Sequence, residues 1–171
     1  SRRMQNDVYQ EFLMRLSSHE HFRLLRQEER GMPRHELLRA FRESERAVLF
    51  GLKSFWEGVD IPGEALSLVV IDKLPFDPPD DPVQEARVAL MKKNGENWFG
   101  SYVLPQAALR LKQGLGRLLR TRNDRGVMAI LDTRLHKKSY GKLVINALPP
   151  ARRVYDISDV ERFFNEEDAP F

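Results

Sequence analysis

Three short, almost wholly apolar runs limit the folds open to this chain more than anything else in it: residues 47–50, 66–71 and 127–131. Gly51, Asp72 and Asp132 close them. Runs of this length and composition fit strands buried on both faces, as parallel sheets require. Between them lie stretches with helical periodicity. Alternation of this kind predicts an α/β layer fold with a mainly parallel sheet flanked by helices.

The helical stretches follow in order. Residues 2–16 place Met4, Val8, Phe12 and Leu16 at every fourth position, with Tyr9 and Leu13 alongside. A short strand is expected within 21–26. Gly31-Met32-Pro33 opens a helix over 34–43, with Leu37, Leu38 and Phe41 inward. Residues 74–82 carry Pro75, Pro78, Pro79 and Pro82 and predict a stiff, extended connector. A helix over 83–93 stops at Asn94-Gly95. Residues 97–103 predict a loop bearing Trp98, Phe99 and Tyr102. Residues 123–126 predict a turn, and 139–147 a short helix ended by Leu148-Pro149-Pro150. Residues 152–155 predict an edge strand. Ser158 and Glu161 have capping-box spacing before a short helix that ends in Phe163-Phe164 and an acidic terminus.

The helix expected over 105–120 is the most informative stretch. At roughly 100° per residue, Gln113, Gly116, Arg117 and Arg120 share one arc, and Leu104, Ala108, Leu111, Leu115 and Leu118 lie opposite. One face packs on a core. The other presents two guanidiniums, a carboxamide and a glycine. Interior glycine costs a helix about 1 kcal/mol against alanine, which Gly116 offsets if a ligand must approach closely. Arginine forks suit phosphate oxygens. The plainer reading of the same arc is a solvated basic face. A second shaped segment, Lys53 to Gly63, follows the first strand run at the end where open α/β sheets place ligands.

Composition narrows the partners. A net charge of +3 and a pI near 9.3 permit nucleic acid without demanding it. With no cysteine, the segment can form no disulfide, thiolate metal site or iron–sulfur ligation. It has no apolar run of membrane-spanning length and no secretory signal at its start, which points to the cytoplasm. His19, His21, His35 and His136 lack metal-ligand spacing, and Asp77, Asp80 and Asp81 read as a solvated proline-rich loop rather than a metal site.

Two ordered motifs then carry a resemblance. Ser54-Phe55-Trp56-Glu57-Gly58-Val59-Asp60-Ile61-Pro62-Gly63 looks like helicase motif V, within 51–63. Gln113, Gly116, Arg117 and Arg120 stand in the Q-x-x-G-R-x-x-R pattern of motif VI, within 113–120. Asp72-Lys73-Leu74-Pro75-Phe76 and Asp124-Arg125-Gly126-Val127 flank them as expected. The chain resembles the second RecA-like motor domain of superfamily 2 DNA helicases, in the XPD-like branch of the DinG and YoaA type. The resemblance implies a RecA-like layered fold over 1–150, followed by a C-terminal appendage over 151–171. Family domains begin with a buried strand that ends near Ser1, so this fold is expected to lack its first strand.

The resemblance also implies a 5′ to 3′ helicase acting on single-stranded DNA with ATP and magnesium. No G-x-x-x-x-G-K-[ST] occurs here, so ATP and Mg2+ would be bound mainly by the first RecA-like domain of the same protein. The segment alone is expected to be inactive as an ATPase. An iron–sulfur cluster would belong to the other half. The implied roles are Arg120 as arginine finger, Arg117 as second guanidinium, and Gln113 orienting phosphate or water. Gly116, Glu57, Gly58 and Asp60 would serve the nucleotide, Asp60 with the alternative of capping local backbone. Lys53, Ser54, Arg2 and Arg3 would contact DNA, with Trp56, Trp98, Phe99 and Tyr102 as stacking candidates. Trp56 reads more readily as core, and Arg2 and Arg3 also read as solvated helix-start charges. Phe163 and Phe164 would dock a partner protein, first the clamp-loader accessory subunit chi, or else pack back on the domain. The competing reading is a nucleic-acid-binding or protein-docking module with a vestigial motor fold.

Overall fold

The computed structural model describes residues 2–16, 21–28, 30–52, 55, 66–77, 81–118 and 124–166. Of Arg117 it describes the backbone only. Its elements in chain order are α1 (Arg2–Arg15), β1 (Arg23–Arg26), α2 (Arg34–Arg42), β2 (Ala47–Phe50), β3 (Leu68–Ile71), α3 (Pro82–Lys93), a π-helical segment (Phe99–Val103), α4 (Leu104–Leu118), β4 (Val127–Ile130), α5 (Arg134–Lys137), α6 (Gly141–Asn146) and α7 (Ile157–Asn165). This is the α/β fold expected, with every described strand pair parallel.

Two compact units are present: Ser1–Ser67 with Gln113–Gly126, and Leu68–Lys112 with Val127–Phe171. In the first, β1 pairs with β2, from Arg23 opposite Ala47 to Arg26 opposite Phe50. Its core gathers Leu25, Leu37, Leu38, Ala40, Phe41 and Phe55. Burial of each such leucine contributes about 1.5–3 kcal/mol. Helix α2 forms because Leu37, Leu38 and Phe41 recur at helical spacing, and it turns that stripe into the core. Tyr9 and Phe12 from α1 pair edge to face with Phe50, with ring centroids 5.4 and 5.3 Å away.

In the second unit, β3 pairs with β4, from Leu68 opposite Val127 to Ile71 opposite Ile130. Asp81 caps α3 by accepting the N–H groups of Val83 and Gln84, with Pro82 in the first turn. The helix stops at Asn94, and Gly95 takes φ +71°, a left-handed turn that glycine adopts without strain.

Five expectations need correction. The strands are not buried on both faces: Leu68 and Val70 are 43% and 55% exposed, while Ile71 is buried. Each described sheet is only two strands wide, and alternate side chains of β3 point to opposite sides. The loop expected over 97–103 is helical from Trp98. The Asn97 side chain accepts the Gly100 N–H at 3.0 Å, acting as a cap, and the turn runs straight into α4. Helix α5 precedes the expected short helix, nucleated by Asp132, which accepts the Arg134 N–H at 3.0 Å.

The remaining two corrections concern the C-terminal appendage. Residues 152–155 form no strand, and Tyr155 is 81% exposed against His136. Asp156, not Ser158, caps α7: its carboxylate accepts the Ser158 N–H at 2.8 Å and the Ser158 hydroxyl at 2.8 Å. An ionised acceptor makes the stronger bond, and these bonds lower the Asp156 pKa below the usual carboxylate range.

Candidate functional site

Helix α4 separates its two faces as its periodicity predicts. Leu104, Ala108, Leu111, Leu115 and Leu118 are all buried, with Leu111 fully so. Gln113 and Gly116 are exposed. Among the described residues, a Cβ placed on Gly116 would meet nothing within 4 Å. Packing among the described residues therefore does not require glycine at this position, although glycine carries a propensity cost in a helix. Near the end of α4, Leu118 is 1% exposed and lies so close to Gly126 that a Cβ there would fall 2.5 Å from it. Gly126 thus leaves room for Leu118 to seat fully. The backbone of Arg117 lies in α4, but its side chain and the whole of Arg120 lie outside the described residues.

The second predicted motif is described only at its start and at Phe55. Phe55 is 5% exposed and belongs to the core. Its N–H donates to the Leu52 carbonyl at 2.7 Å, and its own carbonyl accepts from the Arg34 guanidinium at 3.1 Å. That guanidinium also lies 5.3 Å from the centre of the Phe55 ring. Lys53, Ser54, Trp56, Glu57, Gly58 and Asp60 lie outside the described residues.

Arg2 and Arg3 are exposed in the first turn of α1. The three described stacking candidates, Trp98, Phe99 and Tyr102, are engaged by their own chain. Lys92 sits over Trp98 at 4.7 Å and Arg87 over Tyr102 at 4.3 Å, while Phe99 contacts Phe76, Trp98 and Tyr140. One ring face of Trp98 and of Tyr102 is thereby covered by a cation, which favours a packing role. Phe163 and Phe164 meet edge to face at 5.2 Å. Phe164 is 45% exposed, and α7 has no buried residue.

The proline-rich loop is less solvated than its composition suggests. Asp77 is nearly buried and accepts from Arg110 at 2.7 Å and from Gln84. Arg110 also donates to the Pro75 carbonyl at 3.1 Å, so this ion pair clamps the connector onto α4. Asp80 lies outside the described residues. Among the described residues no group of three or more His, Asp or Glu side chains is placed to hold a metal, and no helix is long and apolar enough to cross a membrane.

Sequence reasoning missed a node at the carboxyl end of β4. Asp132 is buried. It accepts the Leu74 N–H at 2.8 Å and the Arg134 Nε at 2.9 Å. Arg134 in turn lies over the Phe76 ring at 5.1 Å. The Arg134 guanidinium holds the Asp132 carboxyl well below the usual carboxylate range, against the opposing effect of burial, and the two backbone N–H groups add to it. The available signal was an Asp-x-Arg pair closing an apolar strand.

Residues 1–151 match the family model described as helicase C-terminal domain. The chain is 48% identical over 128 residues to the ATP-dependent DNA helicase YoaA of Escherichia coli, covering 75% of this chain and 20% of that protein. It is 43% identical over 132 residues to the Haemophilus influenzae protein of the same name, covering 77% and 21%. It is 44% identical over 126 residues to the Bacillus subtilis protein named 3′-5′ exonuclease DinG, covering 74% and 13%. The chain thus spans about a fifth or less of the length of these curated relatives.

Proposed function

The chain belongs to the helicase C-terminal domain family, and from that premise we propose that it is the second motor half of an ATP-dependent DNA helicase of the DinG and YoaA type. The supporting observation is the face of α4. Gln113 and Gly116 stand exposed, with no described residue within 4 Å of a Cβ on Gly116, opposite a buried leucine stripe. A phosphate-bearing ligand can reach the helix backbone there.

In this reading the first RecA-like domain of the same protein holds ATP and Mg2+. Arg120 reaches across as the arginine finger and stabilises charge on the transferring phosphoryl group. Arg117 contacts phosphate or the metal-side carboxylates, and Gln113 orients phosphate or the attacking water. Such a finger accelerates transfer by about 10³-fold or more. Glu57, Gly58 and Asp60 link nucleotide state to the DNA strand, which Lys53, Ser54, Arg2 and Arg3 hold through its phosphates. The motor moves 5′ to 3′ on single-stranded DNA in cytoplasmic replication and repair. Any iron–sulfur cluster is ligated outside this segment, which has no cysteine. The exposed Phe164 beside Phe163 suits α7 to a partner's groove, for which the clamp-loader accessory subunit chi is the proposed occupant.

The test is Arg120→Ala in the full-length protein. ATP turnover should fall about 10³-fold or more while DNA affinity is largely spared. Undiminished turnover would remove the assigned role. ATP hydrolysis by the 171-residue segment alone would contradict the two-domain site.

A further inference from the structure

Three hydrogen bonds converge where the chain leaves β2, just ahead of Lys53. The Phe50 carbonyl accepts the Gln27 backbone N–H at 3.0 Å and the Gln5 Nε2 at 2.6 Å. The Leu52 N–H donates to the Gln27 Oε1 at 2.9 Å. Gln27 is the first residue beyond β1, so its backbone continues the ladder while its side chain reaches the next strand's outgoing loop. Gln5 comes from α1, one turn after Arg2. With Arg2 and Asn6 these residues line an open depression of about 540 Å³ at the carboxyl ends of the two strands, where α/β sheets place ligands.

The other side of the same segment is held by the core. Phe55 is buried, and its N–H donates to Leu52. The Gly51 backbone runs so close that a Cβ would lie 3.1 Å from Phe55. Residues 50–52 are therefore held between the Phe55 ring of the core and two carboxamides. One of those carboxamides rides on the helix that bears two of the proposed DNA contacts. An apolar side chain at 27 would leave the Leu52 N–H without its acceptor.

We propose that Gln5 and Gln27 are positioning residues: their carboxamides clasp the Phe50–Leu52 backbone, fix the direction in which the chain leaves β2, and couple DNA contact at α1 to that exit. This rests on the helicase reading above. It assigns these glutamines no contact with the reacting atoms.

The experiment uses the full-length protein with Gln27→Leu, which removes the acceptor at similar volume, and Gln27→Glu, which keeps an oxygen there. In Gln27→Leu, amide exchange across residues 50–56 should accelerate about tenfold. DNA-stimulated ATP turnover should fall about tenfold, as small misplacements of catalytic parts do. DNA-free turnover and the melting temperature should stay near wild type, and Gln27→Glu should restore both affected readouts. Unchanged exchange overturns the clasp. Loss of DNA-free turnover and melting temperature together with the stimulated rate overturns the coupling and leaves a merely structural amide. A wild-type protein without DNA-stimulated turnover overturns the helicase reading, while the exchange measurement still decides the clasp.

Discussion

The carboxylate of Asp132 accepts the backbone N–H of Leu74 at 2.8 Å, tying the end of β4 to the chain leaving β3. Both residues are buried, at 8% and 4% exposure. The bond therefore replaces water at a donor that would otherwise have no partner. Replacing Asp132 by alanine leaves that N–H unsatisfied and frees Arg134. The expected cost is about 2–3 kcal/mol, read from chemical denaturation.

The same carboxylate predicts a pH dependence. Its folded pKa is depressed by Arg134 and by the two backbone donors, whereas an unfolded aspartate titrates near about 3.9. Its contribution is therefore complete above about pH 5 and is lost as the pH falls below about 4 toward the folded value. In melting curves from pH 3 to 7, the gap between wild type and Asp132→Asn should be constant at the upper end and shrink at the lower. A gap that stays constant throughout would show that Asp132 carries no such linkage.

Gly116→Ala separates folding from function. With no described residue within 4 Å of the new Cβ, the substitution should stabilise the helix by up to about 1 kcal/mol. ATP turnover of the full-length protein should nevertheless fall if the proposed site is right, because the methyl group would stand in the proposed path of the ligand. Unaltered turnover would mean that nothing docks at this turn. Gly141→Ala provides the contrast. Its Cβ would lie 1.9 Å from the Leu135 carbonyl oxygen, a backbone atom that cannot swing aside. That change should cost about 3 kcal/mol, with a matching drop in melting temperature.

The C-terminal helix makes a separate prediction. Phe164 is exposed and α7 buries no residue. Deleting 157–171 from the full-length protein should therefore abolish association with chi in a titration, with little change in melting temperature. Phe164→Ala alone should weaken binding about tenfold or more if it is the anchor. Association that survives the deletion intact would rule out docking through this helix.

The legible parts of the chain share one property. The strand runs, the segregated faces of α4 and the Asn94-Gly95 stop are all written in neighbouring residues. A helix or strand expresses its local period directly. Expectations failed where a single competing group decided the outcome. Asn97 turned an aromatic loop into a helix start, and Asp156 displaced Ser158 as a cap. Asp77, read as solvated among prolines, is covered by Arg110 from 33 residues away.

By itself the sequence determined the α/β alternation, the order of the two motifs, and the arc that sets Gln113 and Gly116 against a leucine stripe. Each follows from spacing along the chain. Only the tertiary structure decided which polar groups would meet: Asp132 with Leu74 across 58 residues, Gln5 with the Phe50 carbonyl across 45, and Gln27 with Leu52 across 25. A hydrogen bond depends on distance and direction in space, and no period along the chain encodes either for partners so far apart.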